Sequence, residues 1–218
     1  EQATIGKIKS SVMTLNEMFE SLLNISKLDS LSYQSSQKLF SVEKLAASLK
    51  EIVKPHALHK NLEIQFELQV KSAVGDDALL SQILLNLINN AIHYTDQGSV
   101  KVSFCAVDDC LHITVTDTGC GISIDDQSRI FDEFFRVDKT RGQHDGLGLG
   151  LSIVNRLCKL IGAEISIHSQ LDLGTTFTVA TRYAVAASDV QLHARDVNDR
   201  MDGAKKISIL GKTIAVIE

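Results

Sequence analysis

The sequence predicts an α+β domain led by a long coiled-coil-type helix, and three patterns carry that reading. Apolar residues return every three or four positions over residues 76–95 and again over 150–161, each an amphipathic helix. Apolar and polar residues alternate over residues 62–68, while runs at 100–107 with 111–116 and at 164–169 with 175–183 are joined by short turns. Ile5, Ile8, Val12, Leu15, Phe19 and Leu22 fall at alternating steps of three and four, the seam of a coiled coil or helical hairpin.

The seam helix is expected to run through Ile25 and Leu28 and to end near Asp29-Ser30, a rod of roughly 40 Å at about 1.5 Å per residue. Alone it has nowhere to bury that seam, so a partner helix must come from another chain or from sequence outside this one. Residues 31–38 are polar and Ser-rich, a linker. Ser41 is a candidate N-cap with Lys44 rather than Glu three residues on, half a capping box. The helix it opens (Val42, Leu45, Ala46, Leu49, Ile52, Val53) meets Pro55, which is expected to kink or end it. A half-buried strand follows over 62–68.

Next comes a helix opened by Asp76-Asp77, where a carboxylate can cap free amides. Leu80, Ile83, Leu84, Leu87, Ile88 and Ala91 supply its apolar face, and Asn86 and Asn90, four apart, project together. Two carboxamides one turn apart suit a hard cation carrying a phosphate ligand, although the same pair also reads as polar residues at the rim of a buried helix. Beyond an Asp96-Gln97-Gly98 turn, strands 100–107 and 111–116 meet at Asp108-Asp109. His112 and His168 fall in strand alternation and read as surface or edge histidines.

Asp117-Thr118-Gly119-Cys120-Gly121-Ile122 ends a strand with two glycines, so the backbone can turn sharply and a ligand can come close. Residues 123–129 suggest a short helix, 130–136 form an aromatic knot, and 137–145 are polar. Gly146-Leu147-Gly148-Leu149-Gly150 then opens a helix closed by Gly162. A glycine turn feeding a helix N-terminus presents free N–H groups and a positive dipole end, which favours phosphate, though structural glycine turns look the same. The last two strands turn at Asp172-Leu173-Gly174. Residues 184–206 are a polar linker, and 207–218 resume as one strand.

Composition narrows the class. The chain has 218 residues, enough for one substantial core with appendages, and its formal net charge of -5 argues against a nucleic-acid partner. No apolar run approaches the roughly 20 residues that cross a bilayer, and no signal peptide is visible. Cys105, Cys110, Cys120 and Cys158 lack metal-ligand spacing and read as reduced, mostly buried thiols in a cytoplasmic setting.

Four signatures now stand in order: Asn86-x3-Asn90-Ala91, Asp117-x-Gly119-x-Gly121, Phe131-x2-Phe134-Phe135-Arg136, and Gly146-x-Gly148-x-Gly150 backed by Gly174-Thr175-Thr176-Phe177. Together they resemble the N, G1, F, G2 and G3 boxes of sensor histidine kinases, a match covering about residues 38–183. The resemblance implies the Bergerat (GHKL) ATP-binding fold, a two-layer α/β sandwich whose mixed, mostly antiparallel sheet packs on helices.

That resemblance also implies roles. Asn90 would bind Mg²⁺, and Asn86 would touch the triphosphate or the metal shell. Asp117 would accept a hydrogen bond from the adenine amino group, with Gly121 letting the base lie against backbone. Gly146 and Gly148 with the helix N-terminus would hold the phosphates, and Arg136 with Lys139 or Arg141 would reach the γ-phosphate. His93, Tyr94, Gly119, Ile122, Phe135, Leu147, Leu149 and Thr176 complete the implied ATP site. Residues 119–145 would form a lid that excludes water once nucleotide binds.

One position separates chemistries. ATPases of the wider family place a Glu four residues before the metal Asn as general base for water, and here that place is Asn86. A carboxamide cannot take a proton near neutral pH, so the reading is a kinase rather than a hydrolase or clamp. Two departures stand out. His93 occupies a place where the family often has Lys or Arg, and His144 one where it often has the first G2 glycine. No histidine precedes His56, so residues 1–30 resemble only the second helix of the family's dimerisation hairpin. No catalytic residue is therefore expected within the chain itself, the acceptor histidine and its acidic neighbour lying outside it. Residues 207–218 resemble the first strand of a receiver domain, implying a hybrid kinase. The implied boundaries are 1–30, linker 31–38, catalytic domain 39–183, linker 184–206, and receiver start 207–218. The implied partners are a histidine-bearing helix of the same protein, a receiver domain (its own or a separate regulator's), and a second copy through the N-terminal helix. An inner-membrane anchor on the parent protein is compatible with this. The competing readings are a GHKL ATPase or clamp and a nucleotide-dependent interaction module.

Overall fold

A computed structural model describes residues 36–136 and 148–185, together with the backbone of two short strands near the C-terminus. The elements in order are β1 (Lys38–Ser41), α1 (Val42–His59), β2 (Glu63–Leu68), β3 (Ser72–Gly75), α2 (Asp77–Tyr94), β4 (Ser99–Val107) and β5 (Cys110–Asp117). Then follow α3 (Ile124–Gln127), α4 (Gly150–Ile161), β6 (Glu164–Gln170) and β7 (Gly174–Val185), with β8 (Lys206–Ile209) and β9 (Lys212–Ala215) beyond. The seam helix over residues 1–30 lies outside the described residues, as do residues 186–205 of the linker expected over 184–206; Ala184 and Val185 belong to β7 and Lys206 to β8 instead.

One mixed sheet runs β1-β3-β7-β5-β4-β2, with β6 also on β7. Among the described strands only β2 and β4 pair in parallel, Glu63 opposite Ser99 through Leu68 opposite Phe104. Alternation divides the sheet faces. Val100, Val102, Phe104, Leu111, Ile113, Val115, Phe177 and Val179 are buried under α1, α2 and α4, while Ser103, Thr114, Thr116 and Thr178 face the half-exposed side. The result is a two-layer mixed α/β structure around a single apolar core.

Local chemistry accounts for most element ends. Ser41 Oγ accepts from Lys44 N–H and caps α1, and Asp76 Oδ1 accepts from Leu79 N–H and caps α2. Asp108 and Asp109 both take positive φ, 49° and 60°, the twist a two-residue hairpin requires. Gly162 ends α4 in the left-handed region. In α2 the side chains of Leu80, Ile83, Leu84, Leu87 and Ile88 are fully buried. At about 1.5–3 kcal/mol for each such side chain, packing rather than propensity holds this helix. Cys158 is buried among apolar groups, which pushes its thiol up to about 12 and leaves it unreactive.

Some expectations are corrected. Pro55 does not end α1, which continues to His59. Pro55 is exposed in the last turns, where the missing N–H leaves one carbonyl facing water. Burial of Val53 and Ala57, with Lys60 and Leu62 N–H groups both donating to the Ala57 carbonyl, carries the helix past it. β1 and β3 were not expected; each is four residues long, too short to show a period, and they pair with each other. The single strand expected over 207–218 is an antiparallel pair, β8 with β9, which satisfies the edge a lone strand would expose. The first half of the expected lid is built into the fold. Ile130 is buried, Phe131 packs edge-on to Phe177, and Gln127 Nε2 donates to the Ile122 and Ser169 carbonyls.

Candidate functional site

The site lies where the C-terminal half of α2, the end of β5 and the start of α4 meet. α2 presents Asn86 and Asn90 on one side. Asn86 Nδ2 donates to the Gln82 carbonyl, which leaves Oδ1 facing outward. Gly150, the first residue of α4, lies against both. A methyl group there would sit 3.4 Å from Asn86 Oδ1 and 3.7 Å from each amide atom of Asn90. Both carboxamides therefore face the positive end of the α4 dipole. Leu149 precedes α4 and offers no side-chain acceptor to it.

Asp117 ends β5 and is only 7% exposed. Its Oδ1 accepts from the backbone N–H of Gly119 at 2.8 Å and of Thr175 at 3.3 Å. Burial pushes this carboxyl above the usual carboxylate range, and those two N–H groups hold it back. One oxygen is thus anchored to the backbone. Asp117 is bound to α2 through the turn that follows: Cys120 N–H donates to the Tyr94 carbonyl at 3.3 Å, and Gly119 packs on that carbonyl with no room for a side chain. Tyr94 is the last residue of α2 and stacks edge-on with His93, ring centroids 4.9 Å apart. Burial pushes its phenol up while the Arg136 guanidinium opposes the shift, so Arg136 lies near enough to act on it.

Arg136 also touches the glycine turn. Gly148 has φ 70°, and a methyl group there would lie 2.6 Å from the Phe135 carbonyl and 3.2 Å from Arg136 Cγ. Phe134 N–H donates to the Gly148 carbonyl, Phe135 lies under the Arg129 guanidinium at 4.4 Å, and Glu133 ion-pairs with Arg156 of α4. The aromatic knot is therefore fastened to α4. Asn86, Asn90, Tyr94, Arg136, Gly148, Leu149 and the Asp117 turn are all brought to one place. Ile122 is half-buried beside them, its N–H donating to Ser169 Oγ at 2.8 Å. Lys139, Arg141, His144, Gly146 and Leu147 lie outside the described residues.

Two expected roles shift. Thr176 is on the opposite sheet face from Asp117, sharing a hydrogen bond with Thr116 Oγ1 at 3.0 Å. Its neighbour Thr175 is the one directly across from Asp117, because alternation along β7 turns odd residues inward. Gly121, with φ 67°, has no room for a side chain because the Gln170 carbonyl lies against it. It serves the packing of the turn on the β6–β7 connection.

The sequence reading missed Thr175, Ser169 and Lys60. Ser169 Oγ shares a hydrogen bond with Thr175 Oγ1 at 2.9 Å and ties the β6 edge to the Asp117 turn. Lys60 Nζ donates to the carbonyls of Ile92, His93 and Thr95. A signal for it existed: no glycine follows Tyr94, so the last carbonyls of α2 needed a donor from elsewhere.

Among the described residues there is no cluster of three His, Cys, Asp or Glu side chains able to hold a metal. The site offers neutral carboxamides instead. Neutral carboxamide oxygens of this kind would suit a Mg²⁺ ion, Asn90 and Asn86 being the residues placed to hold it.

Comparison with known proteins gives a consistent answer. The family described as "Histidine kinase-, DNA gyrase B-, and HSP90-like ATPase" matches residues 75–184. The aerobic respiration control sensor protein ArcB of Escherichia coli K12 is 30% identical over 196 residues, 87% of this chain and 25% of that protein. The ArcB homolog of Haemophilus influenzae is 33% identical over 71% of this chain and 49% of its own length. The autoinducer 2 sensor kinase/phosphatase LuxQ of Vibrio cholerae is 30% identical over 80% of this chain and 21% of its own. This chain thus spans half or less of these relatives. Among solved structures, full-length ShkA in complex with AMPPNP superposes with a TM-score of 0.74 at 28% identity, covering 87% of this chain and 40% of that one. Acinetobacter baumannii histidine kinase AdeS shares the fold, with a TM-score of 0.69 at 21% identity over 83% of this chain and 84% of that one.

Proposed function

Since the chain belongs to the histidine kinase-, DNA gyrase B- and HSP90-like ATPase family, as an ATP-binding domain of the sensor histidine kinase type, we propose that it donates the γ-phosphate of Mg²⁺-ATP to a histidine outside residues 1–218. The observation that carries this is Asn86. It faces the α4 N-terminus, where a water-activating carboxylate would have to stand for hydrolysis, and a carboxamide cannot act as that base. With water left unactivated, the terminal P–O bond breaks when an imidazole nitrogen attacks phosphorus, and ADP leaves.

The residues divide the work. Asn90 would hold the metal, with Asn86 beside it touching the phosphates or the metal's waters. When bound, Mg²⁺ offsets the charge on the phosphate oxygens. Gly148 and the open end of α4 would bind the phosphate tail, with Arg136 reaching it from the aromatic knot and Lys139, Gly146 and Leu147 adding to it. Asp117 keeps one oxygen on the backbone and one for the adenine amino group, with Thr175 alongside. Tyr94 and Ile122 wall the base end, and His93 stands where the family often has a Lys or Arg near the phosphates.

No histidine precedes His56, so in this reading residues 1–30 pair with a histidine-bearing helix from outside the chain, residues 39–183 are the catalytic unit, and residues 207–218 begin a receiver domain. No helix among the described residues is long and apolar enough to cross a membrane, which suits a catalytic region working on the cytoplasmic side. The test is incubation with γ-labelled ATP and Mg²⁺. The chain alone should bind nucleotide without labelling itself, and a separately supplied histidine-bearing hairpin should gain an acid-labile phosphate. Steady release of inorganic phosphate would instead favour an ATPase or clamp. Failure to bind nucleotide by calorimetry would favour an interaction module.

A further inference from the structure

We propose that Lys60 is a positioning residue for the base end of the nucleotide site. The proposal rests on the reading of that site given above. α2 ends without a glycine, its C-cap Thr95 being extended at φ -105° and ψ 119°, so the usual left-handed closure is missing. The carbonyls of its last turn are instead satisfied one by one. Ala91 accepts from Thr95 Oγ1 at 2.7 Å, and Tyr94 accepts from Cys120 N–H at 3.3 Å. Ile92, His93 and Thr95 accept from the Lys60 ammonium at 3.1, 2.6 and 3.1 Å.

Three donors on one ammonium meet three carbonyls, and the cation sits on the negative end of the helix dipole. Its reach is set by α1. Lys60 is the C-cap of that helix, at φ -94° and ψ 3°, so the ends of α1 and α2 are clamped together. Among the described residues the charge paired with it, Asp96 at 3.7 Å, is almost wholly exposed and adds little.

The carbonyl left over is the one that matters. Tyr94 lies between two residues held by Lys60, and its carbonyl receives Cys120 N–H and packs on Gly119. Gly119 in turn donates to Asp117 Oδ1. Lys60 therefore sets, through the helix end, the turn that aims the Asp117 carboxylate. The phosphate end, at Asn86, Asn90 and Gly150, lies one to two turns back along α2, where the helix is held by its own ladder and the core. A cation acting at the C-terminus should govern base recognition far more than phosphate binding.

The experiment compares binding of Mg²⁺-ATP with binding of Mg²⁺-tripolyphosphate, which has no base. For Lys60→Met, ATP binding should weaken on the order of tenfold, about the loss of one hydrogen bond to a charged group. Tripolyphosphate binding should stay at the wild-type value, and Lys60→Arg should recover most of the lost ATP affinity. Equal weakening for both ligands, or none for either, would overturn the proposal. If Lys60→Met fails to fold, Lys60→Gln decides the same comparison. In the wild-type chain the ¹⁵N signal of the Lys60 ammonium should shift on adding Mg²⁺-ATP and not on adding Mg²⁺-tripolyphosphate. Absence of that response counts against the role. Should the wild-type chain bind neither ligand, the nucleotide-site reading fails, a result distinct from any of these.

Discussion

The two helices that frame the site begin in opposite ways. α2 starts with a side-chain acceptor in place: Asp76 is buried, its Oδ1 caps the helix by accepting from Leu79 N–H, and its Oδ2 accepts from Ser36 N–H outside the helix. α4 starts with Leu149, whose buried hydrocarbon side chain can accept nothing, beside two carboxamides and a turn with a left-handed glycine. A helix start carries free N–H groups that need acceptors. Where the chain supplies its own acceptor, the end is structural. Where it supplies a leucine and glycines, an anion can take the place, with the Asn86 and Asn90 carboxamides beside it.

Breaking the open end should have the largest effect. Asn90→Ala removes the proposed metal ligand and should lower phosphoryl transfer to a supplied histidine hairpin by on the order of 100-fold or more, since metal charge stabilisation is worth several kcal/mol. Initial rates with γ-labelled ATP would measure this, and circular dichroism should show an unchanged fold.

Asp117→Asn sharpens the contrast in the other direction. It replaces an acceptor by a donor at the proposed adenine contact, so ATP affinity by calorimetry should fall by about 2 kcal/mol, roughly 30-fold. The apo protein should nevertheless become more stable at neutral pH. Burial raises the Asp117 pKa in the folded state, so the folded chain binds that proton more tightly than the unfolded chain. The stabilising contribution of the protonated form is complete below the ordinary Asp range and is lost as pH rises through the raised value. Denaturant midpoints of wild type and Asp117→Asn should therefore converge on acidification and separate as pH rises.

Gly148→Ala should cost both stability and affinity, because φ 70° disfavours any side chain and the Phe135 carbonyl is only 2.6 Å from the added methyl. About 1–2 kcal/mol of destabilisation is expected, with ATP binding weakened on the order of tenfold as the turn shifts. The closed end should behave differently. Asp76→Ala should lower unfolding free energy by about 1–2 kcal/mol by removing the cap, with ATP affinity measured below the transition left unchanged. If Asp76→Ala weakened nucleotide binding as much as Gly148→Ala does, the contrast between the two helix starts would be lost.

Much of this frame is legible in single residues and short patterns. Ser41, Asp76, Gly162 and the Asp108-Asp109 turn act within about four positions of themselves, so their effect is written locally. The Asn86 and Asn90 pair and the glycine boxes likewise declare themselves by spacing. Three things were hidden, each for a reason. β1 and β3 are too short to show a period and exist because they pair with each other at one edge of the sheet, where β3 also pairs with β7. The choice of Thr175 over Thr176 depends on the register of β7 against β5, a relation across about 60 residues of chain. Lys60 is one basic residue among 22, and nothing near it in sequence reveals that the carbonyls it serves lie more than 30 residues away.

By itself, then, the order of amino acids determined most of the longer elements, their caps, and the residue types gathered for a phosphate-bearing ligand, because those depend on interactions between near neighbours along the chain. Only the tertiary structure decided which face each strand residue presents, that α1 hands a cation to the end of α2, and that Gly150 lies against Asn86 and Asn90. These depend on the simultaneous burial of one apolar core, which no short stretch of chain can satisfy alone.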